Sequence, residues 1–318
     1  MRRKGRCRFG SWLWIGLLVS LAGASVTSGG EFVLYDNFND SARISPEKWF
    51  GSETKRPNSM LEAYRLVASG KLHLSAVGYG GIGSNVGRRT GSFGLGVKTS
   101  RPITALQAEL TVTHANAQGC RENTLSAQGR AQLVAFFFHH GEERRKGDLT
   151  GEVVAVFEKV ADSKEGHFIR ALVLKCTSWS CSKGESIKAL LFHRTWRLSE
   201  PDTMRIEWEP EASQFVFTVS ADAQTGETRR ITYDKALGPL KPPKVQRQRL
   251  RVRSHGANCR SGRRGVLMTA SVDDVYLRFL DAKASAALSS RALTSSVARR
   301  GEMTSPPQRE VSSGESEW

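Results

Sequence analysis

Met204-Arg-Ile-Glu-Trp-Glu-Pro-Glu-Ala-Ser-Gln-Phe-Val-Phe-Thr-Val-Ser220 decides how the rest of the chain is read. Met204, Ile206 and Trp208 alternate with polar residues, and so do Phe215, Phe217 and Val219. Between the two runs lies Glu-Pro-Glu-Ala-Ser, where Pro210 has no N–H to give a ladder. Period-two alternation on both sides of a short polar break predicts an antiparallel hairpin with one buried face. Ile206, Trp208, Phe215 and Phe217 share no 3.6-residue stripe, so helical spacing fits poorly. The glutamates Glu207, Glu209 and Glu211 alternate with Ile206 and Trp208, which turns them toward solvent, away from any catalytic grouping in the core.

The same pattern extends outward. Tyr64–Ser75 reads as strand, Ser-Gly turn, strand; Ile103–Thr113, Gln132–His139, Glu152–Val160, His167–Cys176, Val245–Ser254 and Leu267–Leu280 read as further strands. Gly78–Gly96 is glycine-rich but precedes no helix, so it reads as a bulged loop between strands and not as a phosphate cradle. Strand signals this frequent, with no convincing amphipathic helix, predict an all-β sandwich. At 318 residues, 39% hydrophobic and 25% charged, the chain can bury one large core.

The termini read differently. Met1–Gly10 is basic, Trp12–Leu21 is a short apolar run and Ala22-Gly23-Ala24 is a small-x-small cleavage site. That order predicts a signal peptide over residues 1–24, one sandwich domain over 25–282 and a secreted or periplasmic product with no remaining transmembrane span. Residues 283–318, rich in Ala, Ser, Arg, Pro and Glu, predict a disordered tail. Cys120, Cys176, Cys181 and Cys259 follow the signal; an even number in an exported chain suggests disulfides. Cys176–Cys181 with Cys120–Cys259 is the expected pairing, and Cys120–Cys176 with Cys181–Cys259 the alternative. Zinc has no matching ligand spacing.

Lys and Arg number 47 against 31 Asp and Glu, a net +16; the five basic residues of the leader leave 16 − 5, or +11, on the rest. Such an excess favours polyanionic partners. Arg247, Arg249, Arg251 and Arg253 concentrate it: strand periodicity puts all four guanidinium groups on one face, opposite Gln248, Leu250 and Val252. They are the candidate ligand-binding residues, suited to carboxylate, sulfate or phosphate through bidentate pairing. Arg260, Arg263 and Arg264 follow in the next loop. Nucleic acid matches the charge but not the compartment.

The hairpin, the Asp36-Asn-Phe38 pair followed by Lys48-Trp49, and Ser271–Leu277 together resemble the concanavalin A-like β-sandwich (jelly-roll) superfamily, including its laminarinase-like members. The resemblance covers most of Phe32–Leu280 as scattered strand patterns. It implies a carbohydrate ligand. It also implies where catalysis would sit: laminarinase-type glycosidases carry Glu-x-Asp-x-Glu on one strand face, and the matching segment here is Glu152-Val-Val-Ala-Val-Phe157. Val154 and Val156 stand where the second and third carboxylates belong, and valine transfers no proton. The Gln-x-His and Tyr-Phe-Lys patterns of lyases in this fold class are absent too, as is a Gly-x-Ser-x-Gly elbow. No catalytic residue is therefore assigned, and no cofactor beyond a structural calcium, which the resemblance places at Asp273 and the Gly70 carbonyl. The expectation is an exported non-catalytic binder of a glycan or other anionic ligand. The alternatives are an unrecognised hydrolase or lyase of the same fold and a structural or protein-interaction module.

Overall fold

The computed structural model describes residues 30–56, 61–140, 147–221, 226–234, 248–280 and 316–317. The signal region, most of the expected tail and Arg247 lie outside the described residues. Two antiparallel sheets face each other, and the described residues contain no helix. A nine-stranded sheet runs β14 (Glu227–Thr232), β13 (Gln214–Ser220), β12 (Pro201–Glu209), β7 (Ile103–Ala117), β16 (Gly265–Phe279), β5 (Lys71–Tyr79), β4 (Leu61–Ala68) and β3 (Thr54–Arg56), with β1 (Val33–Asp36) also paired to β16. An eight-stranded sheet runs β17 (Ser316–Glu317), β11 (Lys183–Leu191), β10 (Gly166–Cys176), β9 (Glu152–Asp162), β8 (Gln128–His139), β15 (Arg249–Ala257), β6 (Arg88–Val97) and β2 (Trp49–Phe50). The chain is thus an all-β sandwich, as its alternation requires. No helix among the described residues is long and apolar enough to cross a membrane.

The deciding stretch is β12 and β13. Met204 lies opposite Val219, Ile206 opposite Phe217 and Trp208 opposite Phe215, and all six are buried. Phe138 of the facing sheet stacks on Trp208, whose indole N–H donates to the Tyr233 hydroxyl at 2.9 Å. The core between the sheets is built the same way, from Leu72, Leu106 and Phe215 on one side and Leu95, Leu133 and Leu250 on the other. Each such side chain contributes about 1.5–3 kcal/mol by leaving water. At the N-terminal end, Asp36 accepts from the Trp49 indole at 2.5 Å and from the Phe38 amide at 3.1 Å, and Phe38 stacks on Trp49. The Asp-x-Phe and Lys-Trp motifs are therefore one buried clasp.

One expectation needs correction. Gly78–Gly96 is not a single loop: Gly91, Gly94 and Gly96 lie inside β6, and only residues 80–87 connect β5 to it. Gly94 is glycine for space. A Cβ there would stand 2.5 Å from the Arg251 Cβ and 2.4 Å from the Leu250 carbonyl oxygen.

Candidate functional site

β8, β9, β10 and β15 bury both faces, so their alternate residues build two different surfaces. One set enters the core between the sheets. The other set lies on the outer face of the eight-stranded sheet and divides it into two halves. Val134, Phe136, Val154, Val156, Leu172 and Leu174 make an apolar half, covered by Leu149 and bordered by the Cys176–Cys181 disulfide. Glu152 sits at its end, fully buried, 3.4 Å from His139. The strand thus delivers Glu152, Val154 and Val156 to one face as expected, with the two valines in an apolar cluster.

The other half is polar, and the pairing register assembles it in rows. Ser92, Arg253, Arg130, Val160 and Phe168 form one row across β6, β15, β8, β9 and β10; Gly94, Arg251, Gln132, Glu158 and Arg170 form the next. Thr90, His255, Gln128 and Asp162 form a third. Arg249, Arg251 and Arg253 of the sequence stripe do share this face. Leu250 and Val252, between them, are fully buried in the core. Cross-strand neighbours in such a sheet stand about 5 Å apart and alternate residues of a strand about 7 Å apart, so the guanidinium groups share one patch.

A transverse chain of hydrogen bonds organises the middle row. Arg251 Nε donates to Gln132 Oε1, Gln132 Nε2 donates to Glu158 Oε2, and Arg170 Nε donates to Glu158 Oε1 at 2.8 Å. Arg130 lies 3.7 Å from the same carboxylate and donates from Nε to Gln128 Oε1 at 3.0 Å. Burial alone would raise the Glu158 pKa, but Arg130 and Arg170 outweigh it and hold the carboxyl at about 2. Asp162 is already engaged by Ser126, Gln128 and the turn amides of Lys164 and Glu165. Among the described residues, six arginines (Arg88, Arg130, Arg170, Arg249, Arg251 and Arg253) thus share this face with two carboxylates in its polar half, Glu158 and Asp162, the second spent on a turn.

Arg253 carries the imbalance. Its side chain is 3% exposed, its Nε meets no acceptor, and it forms no hydrogen bond or ion pair with a described residue. Burial, then Arg251 and Arg130, push its pKa down to about 8; burial and neighbouring arginines hold Arg130 and Arg251 near about 10. A guanidinium does not release its proton at accessible pH, so the depression expresses the cost of burying these cations together around one nearby carboxylate, Glu158. His255 lies beside them with Nδ1 2.9 Å from the Thr90 hydroxyl and Nε2 buried without a partner. Burial and four nearby arginines press its pKa well below the ordinary value, so it is neutral.

The remaining sequence-predicted residues fall elsewhere. Glu207 pairs with Arg205 at 2.6 Å and Arg278 at 3.0 Å, Glu209 accepts from Gln214, and Glu211 is exposed in the hairpin turn, so these glutamates do not form a site. Asp273 lies opposite the Gly70 turn through the β16–β5 register, but the cation beside it is the Lys71 ammonium, 3.4 Å from Asp273 and 3.1 Å from Glu109. No three His, Cys, Asp or Glu side chains among the described residues converge on a metal position. Of the two expected disulfides, Cys176–Cys181 is closed, while Cys120 and Cys259 are free thiols in one buried cluster. Burial and contact with Cys120 raise the Cys259 pKa to about 11, which keeps it a thiol, the form that does not attack.

No family model matches this chain, and no curated protein is significantly similar to it. Solved structures with a related outline include a legume lectin-like domain from Entamoeba histolytica (13% identity, 74% of this chain and 93% of that one, TM-score 0.34). Lectin I from Ulex europaeus in complex with the methyl glycoside of α-L-fucose is another (13%, 78% and 96%, TM-score 0.37). A third is an alginate lyase in complex with alginate trisaccharide (12%, 79% and 99%, TM-score 0.36). Likenesses of this order carry no weight for ligand or chemistry, which rest on the residues themselves.

Proposed function

We propose that the protein is an exported, non-catalytic binder of acidic glycans, and that the arginine half of the outer face is where it binds. The observation that carries this reading is the Arg253 guanidinium, buried beside Arg130 and Arg251 with no acceptor for its Nε among the described residues. An isolated buried charge is costly unless it is paired, and a carboxylate or sulfate on a sugar supplies the missing partner with the geometry that the planar fork prefers. The Cys176–Cys181 disulfide supports an oxidising compartment, which matches an extracellular glycan better than intracellular nucleic acid. The test is binding of alginate, heparin and neutral dextran at rising salt, for the wild type and for Arg249→Ala/Arg251→Ala. Binding of the two acidic polymers that weakens with salt and falls at least tenfold in the variant supports the reading. Full affinity and unchanged salt dependence in the variant would reduce the patch to a structural feature.

His255 supports a second reading, a lyase. A neutral imidazole whose Nε2 has no partner, beside arginines that can pair with a carboxylate, could accept the proton alpha to a uronate carboxylate while the C4–O glycosidic bond breaks and its oxygen takes a proton from solvent. Appearance of unsaturated uronide product on prolonged incubation with alginate, abolished by His255→Ala, would establish turnover in place of simple binding.

A further inference from the structure

One pole of the sandwich combines features that the arginine face does not use. Three connections meet there: residues 80–87 between β5 and β6, residues 118–127 between β7 and β8, and residues 258–264 between β15 and β16. Three asparagines tie them together. Asn258 accepts from the Gly81 amide at 2.7 Å and donates to the Val86 carbonyl at 2.8 Å. Asn123 donates to the Gly87 and Asn258 carbonyls at 2.8 and 3.0 Å, and Asn85 accepts from the Arg260 amide at 2.7 Å. The loops are therefore braced against one another.

On this braced scaffold three aliphatic side chains stand out into solvent: Ile82 at 62%, Val86 at 80% and Leu125 at 41% exposure. Single exposed aliphatics are ordinary on any protein. Three on adjoining, cross-linked loops, placed among exposed arginines, are a different arrangement. Arg89, Arg121, Arg260, Arg263 and Arg264 are all exposed on or beside the same loops, against the exposed acids Glu122 and Glu165. The surface thus presents apolar tips within a cationic ring.

We propose that this pole docks on an anionic lipid bilayer, with Ile82, Val86 and Leu125 entering the headgroup region and the surrounding arginines pairing with lipid phosphates. Two requirements select a bilayer. The cationic ring needs negative charge, and the aliphatic tips need an apolar medium immediately beneath it. An acidic polysaccharide meets the first requirement and not the second. A bilayer interface meets both, in the manner of peripheral proteins that combine shallow apolar insertion with basic residues. Pairing of loop backbone groups favours approach to a low-dielectric layer, and the asparagine ties pair the Gly81 and Arg260 amides and the Val86, Gly87 and Asn258 carbonyls.

The test is co-sedimentation of the full chain with vesicles of phosphatidylcholine alone and of equal parts phosphatidylcholine and phosphatidylglycerol. Ile82→Ser/Val86→Ser and Arg260→Gln/Arg263→Gln are the variants, and all four positions are exposed, so folding is preserved. The wild type is expected to bind the anionic vesicles preferentially. Partitioning should fall roughly tenfold on removing the aliphatic tips and about fivefold for each arginine removed. Binding that is lost with the arginines but unchanged by the serine substitutions assigns the pole to a soluble polyanion and overturns the proposal. Binding unchanged in both variants, as insertion of the Trp12–Leu21 run would produce, overturns it as well. Because neither variant touches Arg249 or Arg251, alginate binding should be retained in both, which separates this pole from the glycan face.

Discussion

Replacing Arg253 by methionine should make the ligand-free protein more stable, the reverse of what a buried arginine in a satisfied network would give. Arg253 is 3% exposed, lacks an acceptor on Nε and is repelled by Arg251 and Arg130. Methionine keeps much of the side-chain volume and adapts to irregular space. Exchanging buried ionic groups for apolar ones of similar size is often neutral or stabilising by about 1–4 kcal/mol, and a cation with no partner among the described residues belongs in that range. For a domain of this size about 2 kcal/mol corresponds to a rise in Tm of about 4–8 °C. An acidic oligosaccharide at about a hundred times its Kd should raise the wild-type stability by about 2.7 kcal/mol through mass action, and that increment should largely vanish in Arg253→Met. The assay is thermal unfolding by circular dichroism at low ionic strength, with and without alginate oligosaccharide, on both proteins. A ligand-free variant that melts below the wild type would refute the reasoning, because it would mean that the guanidinium already has a stabilising partner.

Glu158→Gln should act in the opposite direction, costing about 3–5 kcal/mol by leaving Arg130 and Arg170 without their shared carboxylate, which urea unfolding would measure. Since the Glu158 pKa is held at about 2, below its ordinary value, its contribution is complete above about pH 4.3 and is lost as pH falls toward 2; an acid titration of the wild type should show this loss, and the variant should lack it. Gly94→Ala forces a Cβ against the Arg251 Cβ and the Leu250 carbonyl, and should destabilise by about 1–3 kcal/mol. Oxidation of the reduced protein should join Cys120 to Cys259 slowly at neutral pH and faster as pH approaches 11, where the Cys259 thiolate becomes available; non-reducing peptide mapping over time would show it, and mixed pairing with Cys176 or Cys181 would contradict the adjacency. Laminarin and lichenan should not be hydrolysed, because Val154 and Val156 leave Glu152 without carboxylate partners; turnover that Glu152→Gln abolishes would overturn this.

What could be read from the sequence was decided by how many faces of a strand are buried. β12 and β13 bury one face each, so Met204, Ile206 and Trp208 alternate with polar residues and the hairpin is legible in both boundary and orientation. The arginine stripe is legible for the same reason, since Leu250 and Val252 mark the inner face of β15 and the arginines must occupy the other. β8 and β9 bury both faces, and there the alternation disappears into near-continuous apolar runs. Gln128-Gly-Arg-Ala-Gln132 does alternate, but it opens a strand whose visible signal, from Gln132 onward, is apolar on every side. Arg130 was thereby cut away from the strand that places it beside Arg253.

Glu158 and Lys159 make the point most sharply. Adjacent in sequence, they read as one charged step in an apolar strand, yet the pleat sends them to opposite faces. Lys159 enters the space between the sheets, where its ammonium lies 2.7 Å from Asp202 and 2.7 Å from the Leu110 carbonyl. Arg194 completes that group at 2.8 Å from the same carboxylate, so it is a closed ion pair network with no vacancy for a ligand. Glu158 emerges on the outer face and meets Arg130, Gln132 and Arg170, which arrive from two neighbouring strands. Neither partnership follows from spacing along the chain, since register between strands sets both. The two outcomes differ in pairing: both cations of the inner group contact the Asp202 carboxylate, whereas the outer one leaves Arg253 without an acceptor among the described residues, and that difference is why the outer face is the one proposed to take an anionic ligand.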